Sequence, residues 1–231
     1  MIDFHTHILP GIDDGSKDAD ESLKMLKMLS SQGVDTVIAT SHFDPDKETV
    51  SEFIVRRQES YDKLLLKSSG DIPHIILGAE VIYYDGISNL ENLEKLCIGD
   101  TGLLLLEMPM RKWSQYALKE LKNLSCIKGF TIILAHIERY MGFQSPEVLS
   151  KIREYGILYQ VNASFFKGRF TRRKALSMFR AGEIHAIGSD CHNLDTRPPQ
   201  IGSAFEFIKS KVGEKILQDF TEYTYSLLYE D

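Results

Sequence analysis

At 231 residues the chain is long enough for one large domain or two small ones, and its 43% hydrophobic and 26% charged residues give the balance of a globular protein rather than a disordered or fibrous one. The formal net charge of −6 disfavours nucleic acid as the main partner, because surfaces that track phosphate backbones are basic. The longest uncharged apolar runs, such as Gly102 to Leu106 and Phe130 to Ala135, fall far short of the ~18 residues of a membrane helix, so no direct membrane insertion is expected.

In chain order, Ile2 to His7 reads as a short buried strand, and a carboxylate at position 3 with no basic residue before Lys17 does not read as a signal peptide. Asp18 to Gln32 is a helix by its acidic first turn, its apolar positions Leu23, Leu26 and Leu29, and Gly33 as a stop. The strand Asp35 to Ser41, the helix Glu48 to Leu66 and the strands His74 to Val81 and Leu103 to Met108 follow. Beyond them come the helix Trp113 to Leu124, the strand Thr131 to His136, the helix Pro146 to Tyr155 and the strand Ile157 to Asn162. The helix Arg172 to Arg180, the strand His185 to Ser189 and two helical segments from Ala204 onward complete the series. No linker or low-complexity stretch interrupts it, so residues 1–231 read as a single domain. Seven strands alternating with helices indicate a parallel sheet with helices outside, doubly wound or closed into a barrel, and the barrel is preferred. The cysteines Cys97, Cys126 and Cys191, odd in number and widely spaced, suit a reducing compartment and give no disulfide framework; the expected location is cytoplasmic.

Polar residues that a buried strand should not contain gather at the carboxyl ends of these strands, where barrels of this kind carry their sites. They are His5 and His7, His42, Glu80, Glu107, His136, and Asp190 with His192. Strand alternation points His5 and His7 to one face, and Asp190 and His192 likewise if the extended conformation persists. Imidazoles mixed with carboxylates suit zinc, manganese or iron, whereas magnesium would be held with little histidine. Eight candidate ligands exceed the need of one ion and supply two or three.

The segments MIDFHTHILPGIDDG, ATSHF, LGAE, LLLLEMP, LAHIERY and IGSDCHN resemble the polymerase and histidinol phosphatase (PHP) superfamily. The closest likeness is to its bacterial protein-tyrosine phosphatase branch of capsule and exopolysaccharide synthesis, the CpsB/YwqE type. The resemblance spans essentially the whole chain. It implies a distorted (β/α)7 TIM-like barrel, in agreement with the strand series. It also implies a first metal on His5, His7, Glu80 and Asp190, a second on Glu80, Glu107 and His136, and a third on His42, His192 and Asp14. Asp14 is preferred to Asp13 in the Ile12-Asp13-Asp14-Gly15 loop; many superfamily members carry histidine there, and this chain departs from them. Two to three divalent ions are expected, manganese first, with iron or zinc as alternatives.

Such a centre would attract a phosphate dianion and activate water for direct attack at phosphorus. Arg139 and Arg197, close to the ligand motifs, are candidate phosphate-binding residues, and His42 is a candidate proton donor. The Cys-x5-Arg spacing of Cys191 and Arg197 matches thiolate tyrosine phosphatases, but the intervening His-Asn-Leu-Asp-Thr has no glycine and places Asp195 where an anion would sit, so the match is read as accidental. Lys167, Arg169, Arg172, Arg173 and Lys174 cluster after the sixth strand, with Thr171 as a candidate N-cap, and suggest a phosphorylated or acidic protein tail as partner. Tyr223, Tyr225 and Tyr229 read as packing residues, and His74 and His185 as structural.

The leading function is a metal-dependent protein-tyrosine phosphatase whose substrate, by the resemblance, is a bacterial tyrosine autokinase. The alternatives are a small-molecule phosphatase of the histidinol-phosphate kind and a non-catalytic kinase-binding regulator.

Overall fold

The computed structural model describes residues 1–68 and 70–229. Its strands are β1 (Ile2–Thr6), β2 (Thr36–Ala39), β3 (His42–Phe43), β4 (His74–Leu77), β5 (Glu80–Ile82), β6 (Leu103–Glu107), β7 (Thr131–Leu134), β8 (Leu158–Asn162) and β9 (Ala186–Gly188). Every strand pairing is parallel. The expected third strand is interrupted at Gly78-Ala79, giving β4 and β5; the second stops at Ala39, short of Ser41, and β3 is a further short strand beyond its expected end. The sheet therefore runs β1-β2-β4 at one level and β3-β5-β6-β7-β8-β9 at the next. Its edges meet where His7 N donates to Cys191 O at 2.9 Å and Asp190 N donates to His5 O at 2.8 Å. Asp3, buried in β1, ties the same seam by accepting from Ser189 N at 2.7 Å.

The helices are α1 (Ala19–Ser31), α2 (Val50–Lys67), α3 (Gln115–Ser125), α4 (Pro146–Glu154), α5 (Thr171–Arg180), α6 (Gly202–Val212) and α7 (Glu214–Tyr229). Asp18, Ser114 and Ser145 each accept a backbone N–H of the helix they precede, and Thr49 with Glu52 forms a reciprocal capping box. α5 differs from expectation. Phe170 already has helical dihedrals, Arg172 N donates to Gly168 O at 2.9 Å, and Thr171 is the first helical residue rather than the cap. Its hydroxyl turns back to Gly168 O at 3.3 Å.

Two apolar clusters follow from strand alternation. Val37, Leu104, Leu106, Ile132, Leu134 and Ile187 face outward and pack with helix residues such as Leu26, Phe53 and Leu121. Ile38, Leu103, Leu105, Ile133 and Ala186 face the lumen, which α7 closes at the amino end with Leu228. Tyr225 and Tyr229 stack on α7 with centroids 6.2 Å apart, and the Tyr225 hydroxyl bonds Asp35 at the base of β2. These are packing roles, as expected. His185 accepts from Tyr159 N at 3.0 Å, and His74 is exposed at the base of β4.

Candidate metal centre

Three breaks in regular strand geometry bring the polar side chains to the carboxyl end of the lumen. In β1 the register shifts between Asp3 and Thr6, so that His5 and His7 turn inward although Ile2 and Phe4 also face the lumen below them. His136 has φ 33° and Asp190 φ 55°, both left-handed. The extended conformation thus does not persist from Asp190 to His192. His192 still reaches the cluster, its Nδ1 donating to Asp190 O at 3.0 Å. Left-handed backbone in residues with a Cβ costs about 1–2 kcal/mol each and is concentrated at functional sites.

Glu80 occupies the middle. Its carboxylate lies 3.0 Å from His5 Nε2, 3.2 Å from His7 Nε2, 3.3 Å from His42 Nδ1 and 3.0 Å from His136 Nε2. The buried guanidinium of Arg57 donates to Gly78 O at 2.7 Å and to Lys95 O at 3.3 Å, pinning the interruption that delivers Glu80. Glu107 lies 3.4 Å from His136 Nε2, and Asp190 lies 3.7 Å from both His5 and His7. Ligand atoms come within 4.8 Å of one another in three groups: His5, His7 and Asp190; His42, Glu80 and Glu107; and His7, Asp14, His42 and His192.

The two aspartates of the Ile12–Gly15 loop divide their work. Asp13 Oδ2 accepts from His7 Nδ1 at 2.8 Å and from His42 N at 2.9 Å, so it stands behind the imidazoles. Asp14, 64% exposed, faces His192 Nε2 at 3.4 Å and His42 Nε2 at 3.6 Å. A comparable support lies on β8, and the sequence reading missed it. Gln160 Oε1 accepts from His136 N at 2.6 Å and faces His5 Nδ1 at 3.3 Å, while Gln160 Nε2 donates to Asn162 Oδ1 at 3.1 Å. Asn162 Nδ2 then donates to Asp190 Oδ2 at 2.8 Å. With Nδ1 of His5, His7 and His192 each tied to an oxygen, Nε2 of each is left to face the cluster, the arrangement that orients imidazole ligands. Two glycines permit the packing. A Cβ on Gly188 would lie 2.5 Å from His5 Cβ, and one on Gly15 would lie 2.5 Å from His7 Cβ.

The electrostatics are those of carboxylates short of positive charge. Burial alone would lower His7, but its bonds to Asp13 and Glu80 raise it to about 10; burial likewise opposes, and Glu107 and Glu80 outweigh it, in raising His136 to about 9. Burial would raise Glu80 and Asp190, yet the facing imidazoles hold both below the ordinary carboxylate range. Burial and the neighbouring His7 push His192 down to about 4. His192 Nε2 and His42 Nδ1 are buried without a hydrogen-bond partner. Divalent cations answer both conditions, supplying positive charge and taking the free nitrogens, so the donor set fits them.

A cavity of about 530 Å³ opens above Glu80, walled by His42, Glu107, Asp14, Arg139 and Arg197. Arg139 pairs with Asp190 Oδ2, and Arg197 Nη2 donates to Asp190 Oδ1 at 2.7 Å. Lys47 and Arg56, not singled out from sequence, also line it. Cys191 does not. It is fully buried, and burial pushes its thiol up, away from the thiolate that nucleophilic attack needs.

A parallel α/β barrel with clustered imidazoles and carboxylates at its carboxyl end defines the chain as a protein of the metal-dependent barrel hydrolase class. Residues 1–226 match the family described as capsular polysaccharide synthesis, CpsB/CapC, and the chain belongs to that family. It is 32% identical over 232 residues to the tyrosine-protein phosphatase CpsB of Streptococcus pneumoniae, covering 93% of this chain and 92% of the relative. It is also 32% identical over 229 residues to the tyrosine-protein phosphatase YwqE of Bacillus subtilis, covering 96% and 89%. A crystal structure from work on YwqE and CpsB, metal-dependent tyrosine phosphatases, superposes with a TM-score of 0.83 at 28% identity, over 99% of this chain and 94% of that one. A TatD homolog from Escherichia coli, YJJV, shares the fold at a TM-score of 0.51 and 14% identity, over 98% and 97%.

Proposed function

We infer that this chain is a metal-dependent tyrosine phosphatase of capsular polysaccharide synthesis, hydrolysing phosphotyrosine in a protein. The observation that carries the reading is the convergence of imidazoles and carboxylates around Glu80, in a chain that matches its family almost from end to end. His5, His7, Glu80 and Asp190 would hold a first ion, Glu80, Glu107 and His136 a second, and Asp14, His42 and His192 a third. Manganese is the first choice of metal. Divalent ions, when bound, would lower the pKa of the attacking water and neutralise charge on the phosphoryl oxygens.

The remaining steps belong to the chain's own residues. Arg139 and Arg197 each spend part of the guanidinium on Asp190 and keep further N–H groups for the cavity, where they hold and orient the phosphoryl oxygens. Because Asp190 is itself fixed by Asn162, the two guanidinium groups are positioned by the same network that positions the ligands. With no third ion on its ring, His42, 25% exposed in the cavity wall, is free to hand a proton to the departing phenolate. Little acid assistance is needed, since a phenol has a pKa near 10. The substrate protein is a bacterial tyrosine kinase, and the setting is cytoplasmic; among the described residues no helix is long and apolar enough to cross a membrane.

The test is hydrolysis of a phosphotyrosine peptide before chelation, after it, and after manganese is restored, with histidinol phosphate as the competing substrate. Activity on the peptide should vanish with the metal and return with it. Full activity in chelated protein, or preferential turnover of histidinol phosphate, would overturn the reading.

A further inference from the structure

The cations around the cavity fall into two groups. On the β3 and α2 side, Lys47 is paired with Asp44 at 2.9 Å and Arg56 is paired with Glu48. On the opposite side, the turn between β8 and α5 carries Lys167 and Arg169, and the first turn of α5 carries Arg173, all exposed. Among the described residues no carboxylate pairs with any of these three, although the chain as a whole carries a net charge of −6. Their neighbours are engaged elsewhere: Arg172 lies over the Phe207 ring at 6.0 Å, and Lys174 faces a hollow beside α4. Phe170, 90% exposed, stands between Arg169 and Arg173, and the first turn of α5 contains no acidic residue.

A second hollow, of about 290 Å³, joins Lys167 of this rim to the metal centre, while Arg169 and Arg173 stand outside its lining. Lys167 lines it together with Ser164, Thr196 and Gln200, and its far wall is Arg139, Arg197 and Asp190, which it shares with the main cavity. The one side-chain bond of Lys167 goes to the Gln200 amide oxygen. Three cations therefore border a space whose only carboxylate, Asp190, is already bonded by both arginines and by Asn162. Such a space has a surplus of positive charge and hydroxyl donors, and it opens within a residue or two of the phosphoryl position for an extended peptide, which advances about 3.5 Å per residue.

We propose that this hollow and the Lys167, Arg169 and Arg173 rim bind Asp or Glu side chains that flank the phosphotyrosine of the substrate polypeptide. The proposal rests on the phosphatase reading, which it deepens by assigning a sequence preference to one side of the mouth. Anionic membrane is the other surface a basic turn with an exposed phenylalanine could meet. The peptide is favoured because Lys167 belongs both to the rim and to the hollow walled by Arg139 and Arg197.

The experiment compares wild type with the triple variant Lys167→Ala/Arg169→Ala/Arg173→Ala. The substrates are two phosphotyrosine peptides differing only in flanking Glu or Gln, and p-nitrophenyl phosphate, which has no flanks. Wild type should favour the Glu peptide by about tenfold in kcat/KM at low salt, and the preference should shrink as salt screens the charges. The triple variant should lose the preference while turning over p-nitrophenyl phosphate at the wild-type rate. Equal turnover of the two peptides by wild type, or equal loss on all three substrates in the variant, would overturn the proposal and leave the phosphatase reading standing. In a second arm, fluorescence anisotropy follows a Glu-rich peptide without phosphotyrosine. If no phosphate ester is hydrolysed, the phosphatase reading falls, and this arm decides the docking alone: binding by wild type lost in the variant supports it, and no binding overturns it. Cosedimentation with phosphatidylserine vesicles, abolished in the triple variant and undiminished by excess Glu peptide, would reassign the rim to membrane and also overturn it.

Discussion

Below the level of Leu105 and Ile133 the barrel lumen is filled by Phe4, Ile38, Leu103 and Ala186 and sealed by Leu228; above it the carboxyl ends of the strands present four imidazoles around the Glu80 carboxylate, with a fifth, His192, packed on His7. Most side chains of both regions are buried, Glu80, His5, His7 and Asp190 among them, yet burial acts on the two in opposite directions. Apolar groups gain from it, at roughly 25 cal/mol per Å². Charged groups tolerate it only when partners surround them. The upper region meets that condition by placing each carboxylate against imidazoles and the Nδ1 of His5, His7 and His192 against oxygens. It also contains the strand interruption, the β1 register shift and the left-handed residues, while the lower region is regular. Stability and chemistry are thus separated along the barrel axis.

The largest effect should come from the centre of the upper region. Glu80→Gln removes the charge that touches four histidines and should lower kcat/KM by on the order of a thousandfold, with circular dichroism unchanged. A wild-type rate with metals still bound would remove Glu80 from the ligand assignment. Gln160→Leu strikes the support behind His5 and His136 and should weaken metal binding by about 10–100-fold, read by competition with a chelator. In the lower region the outcome inverts. Leu105→Ala should cost about 2–5 kcal/mol of stability in denaturant titrations while leaving kcat per folded molecule intact; a fall in kcat would show that the two regions are coupled.

The imidazoles of the upper region also make it sensitive to pH. In chelated protein His7, near 10, and His136, near 9, hold protons more tightly than at their ordinary value of 6.5. Their contribution is fully present below about pH 6.5 and is lost as pH rises through 9 and 10. Melting temperatures should therefore fall over that range in chelated protein and fall less in protein loaded with manganese, where the cation takes the place of the proton. Equal slopes would contradict metal binding at these imidazoles. The smallest effect is expected from Cys191→Ser, which should keep activity close to wild type on a phosphotyrosine peptide.

The seven strands and the residues at their carboxyl ends were legible in the sequence because apolar runs ending in His, Asp or Glu violate what a buried strand ordinarily contains. Other roles depend on the path of the chain. Asp14 is preferred to Asp13 only by the resemblance, since the two are alike in sequence, and it is the loop's path that sends Asp13 behind His7 and Asp14 toward His192. Gln160 and Asn162 are unremarkable polar residues in a strand, and their role arises from what lies across the barrel. The left-handed turn at Asp190 was missed because it depends on the seam with β1, formed by Asp190 N and His5 O and by Ser189 N and Asp3. For the same reason the helix start at Thr171 escaped: Phe170 enters the helix through backbone bonds, with no capping side chain to mark it.

The burial of Cys191 bears on how such an enzyme fares under oxidative stress. Phosphatases that attack through a thiolate are silenced when peroxide converts that sulfur to a sulfenic acid, since reactivity follows thiolate character and access. Here the sulfur beside the centre is sealed from solvent and protonated, and the exposed thiol is Cys126, at the end of α3. Peroxide and alkylating agents would mark Cys126 and leave the sulfur beside the centre untouched, so any sensitivity of the activity to oxidants would lie in the metals and not in a thiol.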